Sequence, residues 1–281
     1  MEILHSIILG VIQGLTEFLP VSSSGHISIF NSILETNLNS GDYVLMNVVL
    51  HAATASSIIY TFRKDLYQII LGIFKNDKQQ IDFSIKIILS MIPAVIIGLL
   101  LEQKIKSLFS GENKFLTEMI GVNHILYLVG TMLLITACLL LLADKAKPNK
   151  KNITMLGSIL VGFAQAIAIL PGISRSGATI ATSVLLGSDK EKSARFSFLM
   201  SVPLIIGIMC KEIYSIMTSA TTESYANYTS LLIGFFTAFI IGIFACKWMI
   251  NLVKNSQLKY FSYYCIIIGF SIIIFQYINN A

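Results

Sequence analysis

Charge is scarce in this chain. Asp, Glu, Lys and Arg make up 12% of its 281 residues, where soluble domains carry about 25%. So few charges cannot cover a globular surface of this size, which excludes a soluble enzyme, a disordered chain and a nucleic-acid binder. Cysteine is sparse too: Cys138, Cys210, Cys246 and Cys265 sit singly inside apolar runs, with no CxxC pair. They read as small buried hydrophobes, so neither a disulfide framework nor a zinc site is indicated. The apolar runs lack period-two alternation, which sets aside a β-barrel. The apolar N-terminus lacks a basic n-region and a small-residue cleavage site, so it is expected to be retained rather than removed as a signal peptide.

Apolar residues are abundant, at 55% of the chain with a mean hydropathy of +0.76. Six segments, about 43–62, 81–101, 121–143, 196–217, 229–251 and 260–278, are long enough to cross a bilayer as helices. Two further stretches are interrupted. Residues 3–34 are split by Pro20 and Ser22-Ser23-Ser24-Gly25-His26, and residues 153–187 by Pro171, Gly172 and Ser174-Arg175-Ser176-Gly177. Their halves are too short to span, and Pro/Gly interruption of this kind marks a broken or re-entrant helix pair. The expected fold is all-α: one polytopic membrane domain over 1–281, with six transmembrane helices plus two re-entrant broken-helix hairpins.

Loop charges give an orientation. If each split segment enters and leaves on one side, loops 63–80, 144–152, 188–195 and 252–259 share a side and hold 13 Lys or Arg. Loops 36–42, 102–118 and 218–228, opposite, hold 3. The basic side is therefore assigned to the cytoplasm, and the +5 net charge records orientation more than partners. The broken segments then dip in from opposite faces. A shift of 152 residues aligns Gly10 with Gly162, Gln13 with Gln165, Ser22 with Ser174, Ser24 with Ser176 and Gly25 with Gly177. This is the signature of an inverted-topology repeat, one half about 1–143 and the other about 153–278, with the functional site where the broken helices meet.

Polar groups concentrate at the two breaks, where a central charge costs about 2.5–3.5 kcal/mol on insertion scales. Gln13 and Glu17 are four apart and share a helix face. Ser22 and Ser174 are placed to cap the second half of each pair. Ser23 and His26, and likewise Arg175 and Thr179, fall on common faces. Two helix N-termini and the planar fork of Arg175 suit an anion, phosphate above all. Ser23, His26 and Glu17 offer a nucleophile, a proton-transfer group and a carboxylate. Glu17, together with Gln13, could also hold a divalent cation through oxygen. The plainer alternatives are a structural Glu17–Arg175 ion pair, and Ser24 and Ser176 bonding back to carbonyls. His51 reads as a packing or supporting residue, His5 and His124 as interfacial, and Lys86, Lys211, Glu212 and Lys247 as paired or snorkelling.

The segments Gln13-Gly-Leu-Thr-Glu17-Phe-Leu-Pro-Val-Ser-Ser-Ser-Gly-His26 and Pro171-Gly-Ile-Ser-Arg-Ser-Gly-Ala-Thr179 resemble the two signature motifs of the bacterial undecaprenyl-diphosphate phosphatase (bacitracin-resistance) family. The likeness extends to Ser90-Met-Ile-Pro-Ala94, Ile105-Lys-Ser-Leu-Phe109 and Phe196-Ser-Phe-Leu199. It implies a membrane hydrolase that converts undecaprenyl diphosphate to undecaprenyl phosphate, the carrier for peptidoglycan synthesis, on the outer face of the plasma membrane, with Mg2+ or Ca2+. It implies catalytic roles for Glu17, Ser23, His26 and Arg175, with Glu17 at the metal. Substrate contacts are implied for Gln13, Ser22, Ser24, Gly25, Ser174, Ser176, Gly177 and Thr179. The family has Glu or Gln at the first acidic position. Gln13 cannot act as a base, which leaves the carboxylate role to Glu17. The implied partners are the lipid diphosphate and membrane lipids, with no nucleic acid, and a homodimer is left open.

The main competing reading is a secondary-transporter-like flippase of the prenyl phosphate, since inverted repeats with broken helices are common in carriers. A structural scaffold fits poorly, because it gives no reason for a buried Glu, Arg, His and Ser set. The orientation is directly testable. Cysteine introduced at Asn39 should react with an impermeant maleimide on intact cells, and labelling only after permeabilisation would reverse the topology.

Overall fold

The computed structural model describes residues 3–33, 40–109, 124–147, 151–218, 227–255 and 257–280. Every regular element among them is helical: α1 (Ile3–Thr16), α2 (Ser23–Ile33), α3 (Ser40–Thr61), α4 (Arg63–Phe74), α5 (Lys78–Phe109), α6 (His124–Asp144), α7 (Met155–Ile167), α8 (Arg175–Leu185), α9 (Lys190–Thr218), α10 (Tyr228–Lys254) and α11 (Leu258–Asn280). Six of them are long and apolar enough to cross a membrane: Val44–Thr61, Lys78–Leu101, Ile125–Asp144, Lys190–Tyr214, Tyr228–Lys254 and Leu258–Ile278. These are the six expected spans. α9 starts earlier than hydropathy suggested because Asp189 accepts the Lys192 N–H at 3.0 Å and begins the helix inside the polar loop. Asn39 and most of the loops assigned to the low-charge side lie outside the described residues.

The two interrupted stretches form the hairpins α1–α2 and α7–α8, with limbs of 14, 11, 13 and 11 residues. At about 1.5 Å per residue, none reaches the roughly 30 Å of a hydrocarbon core. Each hairpin leans on the opposite half of the chain: α1 packs along α10, and α7 along α5. The aligned glycines Gly10 and Gly162 make both approaches close. A Cβ on Gly10 would lie 2.9 Å from the Gly234 carbonyl, and one on Gly162 would overlap the Ser90 carbonyl. α6 and α11 cross just as closely, with Gly130 and Gly269 each facing the other's carbonyl oxygen. Small residues at crossings are how membrane helices gain contact where apolar burial gives no driving force.

Two expectations need correction. Residues 63–80 were read as a loop, yet most of them form α4. Its Leu66 and Ile69 pack on the core, while Tyr67, Ile70, Ile73 and Phe74 are exposed. The helix closes in a Schellman turn, with Asn76 at φ 54 and the Asp77 N–H on the Gly72 carbonyl at 2.8 Å. Its basic ends, Arg63 and Lys75, made the segment resemble a loop. The second correction concerns cysteine. Cys246 and Cys265 are buried, but Cys138 and Cys210 lie on the outside of the bundle. That surface is itself apolar, with Leu100 74% and Phe244 70% exposed. A lipid-facing position suits a cysteine as well as a core does.

The close crossings are expected to be costly to disturb. A Cβ on Gly130 would lie 2.7 Å from Ile273 and 3.0 Å from the Gly269 carbonyl. Gly130→Val should therefore lower stability by about 1–3 kcal/mol, read as an earlier thermal unfolding in detergent. Gly207→Ala, whose Cβ meets nothing within 4 Å, should not.

Candidate active site

Helix α1 stops because Pro20 has no N–H with which to continue it. The preceding turn is held by Glu17 N–H to the Gln13 carbonyl, 3.0 Å, and Leu19 N–H to the Leu15 carbonyl, 3.2 Å. Ser22 then takes a left-handed φ of 70 and α2 begins. As expected, Ser22 caps that helix, its Oγ accepting the Gly25 N–H at 3.3 Å. The same oxygen also accepts the Gly172 N–H at 3.1 Å, from the break of the other hairpin. There, Gly172 has φ +97, and a side chain would strike the Val129 carbonyl 2.6 Å away. Only glycine fits both constraints. Ser174 caps α8, accepting the Gly177 N–H at 3.1 Å.

Thr136 of α6 fixes this second turn. Its hydroxyl receives the Ser174 N–H at 3.1 Å and lies 3.2 Å from the Gly172 carbonyl. The two breaks touch reciprocally. A Cβ on Gly25 would lie 3.2 Å from Gly172 Cα, and one on Gly177 would lie 3.1 Å from Pro20 Cβ. Under the 152-residue shift, Gly25 corresponds to Gly177 and Pro20 to Gly172, so one contact is made twice.

At this junction Arg175 Nη2 forms an ion pair with Glu17 Oε1, and the carboxylate side chain is only 6% exposed. Glu17 Oε2 accepts the Ser23 hydroxyl at 2.7 Å and the Gln13 amide at 3.1 Å. Gln13 is fully buried, and its Oε1 has no hydrogen-bond partner among the described residues. A narrow cleft runs under the pair, lined in part by Ser197 and Ser201 of α9.

His26 is oriented elsewhere. Its Nδ1 lies 2.8 Å from the Ser22 carbonyl, so Nδ1 carries the proton, and its Nε2 lies 2.8 Å from the Tyr264 hydroxyl. The Tyr264 ring stacks on the imidazole at 5.6 Å. Ser23 is thus hydrogen-bonded to Glu17, and both ring nitrogens of His26 are engaged by other groups. Several sequence-picked residues shape the frame: Gly25 and Gly177 let the breaks touch, and Ser176 Oγ donates to the Leu19 carbonyl at 3.3 Å. Thr179 is buried with its hydroxyl 2.6 Å from Ser197 Oγ, and Ser24 is exposed. Sequence reading missed Tyr264, Thr136 and Ser197. Tyr264 follows Tyr260 and Tyr263, and aromatics near a span end ordinarily signal a membrane interface.

The sequence profile described as bacitracin resistance protein BacA matches residues 6–271. The chain belongs to that family. It is 50% identical over 280 residues to an undecaprenyl-diphosphatase of Christiangramia forsetii, covering 99% of each chain. It is 40% identical over 280 residues to the undecaprenyl-diphosphatase of Bacteroides thetaiotaomicron, covering 98% of this chain and all of the relative. A Methanococcus vannielii protein of the same name is 38% identical over 275 residues, covering 97% of this chain and all of the relative.

The ion pair makes a physical prediction independent of activity. Arg175→Ala leaves a buried carboxylate without its counter-charge and should cost about 3 kcal/mol. Adding Glu17→Gln should recover part of that loss, and a double-mutant cycle on detergent-solubilised protein measures the coupling.

Proposed function

We propose that this family member is a multi-pass membrane hydrolase that removes the terminal phosphate of undecaprenyl diphosphate, recycling the lipid carrier of peptidoglycan synthesis and thereby giving bacitracin resistance. The observation that carries the reading is the convergence of the two motifs on Glu17, Ser23 and Arg175, in a chain that matches undecaprenyl-diphosphatases along almost its whole length. The diphosphate lies between the capped N-termini of α2 and α8, where backbone N–H groups and helix dipoles favour anions. The prenyl tail leaves sideways into lipid. Arg175 exchanges its carboxylate partner for phosphate oxygens, which its fork matches at least as well.

That exchange frees Glu17. Ser23 Oγ, already donating to Glu17 Oε2 at 2.7 Å, attacks the terminal phosphorus in line and passes its proton to the carboxylate. The bond to the bridging oxygen breaks, and undecaprenyl phosphate departs with the electron pair. Water then attacks the phosphoserine, its proton passing to a phosphate oxygen, while the phosphorus–serine bond breaks and the protonated Glu17 returns its proton to Ser23 Oγ, releasing inorganic phosphate and restoring the carboxylate. His26, fixed with Nδ1 protonated, presents Nε2 as a second proton-transfer group, held in place by Tyr264.

A divalent cation fits the residues present. The unpartnered Gln13 Oε1 beside Glu17 gives two neighbouring oxygen donors, and Mg2+ commonly uses one or two protein oxygens with substrate phosphates and water. When bound, it would neutralise charge developing on the diphosphate. The matching helix packing and the reciprocal contact of the breaks support an inverted-topology relation between the halves. We assign the site to the outer face of the plasma membrane, as the family resemblance implies.

Purified protein with Mg2+ should release phosphate from a prenyl diphosphate. Arg175→Lys, which retains charge and loses the planar fork, and Ser23→Ala should each lower kcat by at least about 100-fold, with the thermal transition retained. No release by well-folded wild-type protein would reject the hydrolase and favour a lipid carrier. Full activity in Ser23→Ala would reassign the attack to water.

A further inference from the structure

A cavity larger than the cleft at Glu17 lies elsewhere among the described residues. It holds about 410 Å³, within the range of small-ligand sites, and is walled by α4, the start of α5 and the start of α9. These elements include most of the basic stretches 63–80 and 188–195. The cavity and the catalytic cleft use different faces of one stretch of α9. Arg195, Phe196 and Leu199 line the cavity, whereas Ser197 and Ser201 line the cleft. Phe198 lines the cleft as well, packed on Phe18 and Phe62 at 5.9 and 6.1 Å.

The lining is divided by chemistry. Lys86, Lys192 and Arg195 face it with Asp65 and Asp82, leaving one net positive charge. Arg195 pairs with Asp65, Lys86 with Asp82 at 2.5 Å, and Lys192 Nζ donates to Asn152 Oδ1 at 2.7 Å. The lining also has an apolar part, here called the floor, that includes Leu199, Ile153 and the edge-to-face pair Phe83–Phe196, 5.8 Å apart. The outer wall is α4, whose Tyr67, Ile70, Ile73 and Phe74 project away from the protein, with Lys64 and Lys75 exposed at its ends. An exposed apolar face bounded by lysines is the pattern of a helix lying in a membrane interface. Gly72 holds that helix against Gln80 of α5, where a Cβ would lie 2.6 Å from the Gln80 Cβ.

We propose that this cavity is a second lipid site, which takes the phosphate headgroup of an anionic lipid from the leaflet on the basic side of the protein. The cations meet the phosphate, the apolar floor takes the first methylenes of the tails, and α4 keeps the opening at headgroup depth. A free anion would have no use for the floor, and an uncharged lipid none for the cations. Basic pockets between membrane helices on the cytoplasmic side are suited to such headgroups. The site is independent of the hydrolase reading.

The test is native mass spectrometry of the full-length protein with phosphatidylglycerol, phosphatidylcholine, a prenyl phosphate or inorganic phosphate added. The wild type should retain phosphatidylglycerol or prenyl phosphate over phosphatidylcholine, and the preferred one of the two tells a resident phospholipid from the reaction product. The triple variant Asp65→Asn/Lys192→Gln/Arg195→Gln should lose retention by about tenfold. Removing Asp65 with Arg195 leaves no unpaired carboxylate behind. Lys192→Glu, at an exposed position, should weaken retention with unchanged folding. Phosphatase activity should match the wild type in both. Equal retention by variants and wild type, equal retention of phosphatidylcholine, or displacement of the lipid by equimolar inorganic phosphate would overturn the proposal. So would loss of activity in step with loss of lipid, since the retained lipid would then sit at Glu17.

Discussion

The pairing of Glu17 with Arg175 is the constraint on which the rest of the structure depends. Neither charge is tolerable alone in an apolar bundle, and they come from chain positions 158 residues apart. Bringing them together requires both spanning patterns to be interrupted at the same depth, both breaks to be free of side-chain bulk, and both following helices to start there. Pro20, Gly172, Gly25 and Gly177 meet the first two requirements, and Ser22 and Ser174 the third. A buried ion pair is weak evidence for stability, since desolvation consumes much of its Coulombic gain. Here it fixes the register of two hairpins, and Ser22 adds a neutral crosslink by bonding to the Gly172 N–H.

The frame around the pair repeats, whereas the chemistry does not. Under the 152-residue shift, caps fall on caps and glycines on glycines, but Ser23 falls on Arg175, Glu17 on Ile169 and His26 on Ala178. One hairpin supplies the hydroxyl, carboxylate and imidazole, and the other supplies the cation. In the proposed reaction, neither could bind and attack a diphosphate unaided. Retaining Gln165 opposite Gln13 shows how far the likeness reaches: both amides are buried, but Gln13 bonds to Glu17 while neither side-chain amide atom of Gln165 has a hydrogen-bond partner among the described residues.

Much of this was legible in the sequence because membrane folding rests on few rules. Apolar runs of about 20 residues gave the spans, and Pro and Gly inside such runs gave the hairpins. Polar residues stranded in apolar surroundings marked the site, because only function or pairing offsets their cost. The rest escaped for equally physical reasons. α4 is amphipathic with basic ends, so hydropathy alone reads it as a loop. Tyr264 lies 238 residues from His26, and Thr136 is one of two threonines in a largely apolar span. Nothing local distinguishes either from a tyrosine in an aromatic belt or a threonine bonded to its own helix. Likewise, Cys138 and Cys210 could not be sorted from Cys246 and Cys265, because inside and outside of a membrane bundle are both apolar.

Spacing placed Ser23 and His26 on one helix face, which invites a serine–histidine pair. The geometry separates them, and the cap explains why. Ser22 uses its side chain on Gly25 and Gly172, and its carbonyl, which already accepts the His26 N–H at 3.1 Å, is also met by His26 Nδ1, four residues on. That fixes the tautomer and points Nε2 at Tyr264. Ser23, at the first position of α2, lies against Glu17. A carboxylate with a hydroxyl at 2.7 Å and a guanidinium on its other oxygen is an acceptor waiting for the guanidinium to be drawn away. The ligand best able to draw it away is an anion with oxygens spaced like those of a carboxylate. A phosphate does this, so in the proposed reaction arrival of the substrate and release of the base become the same event.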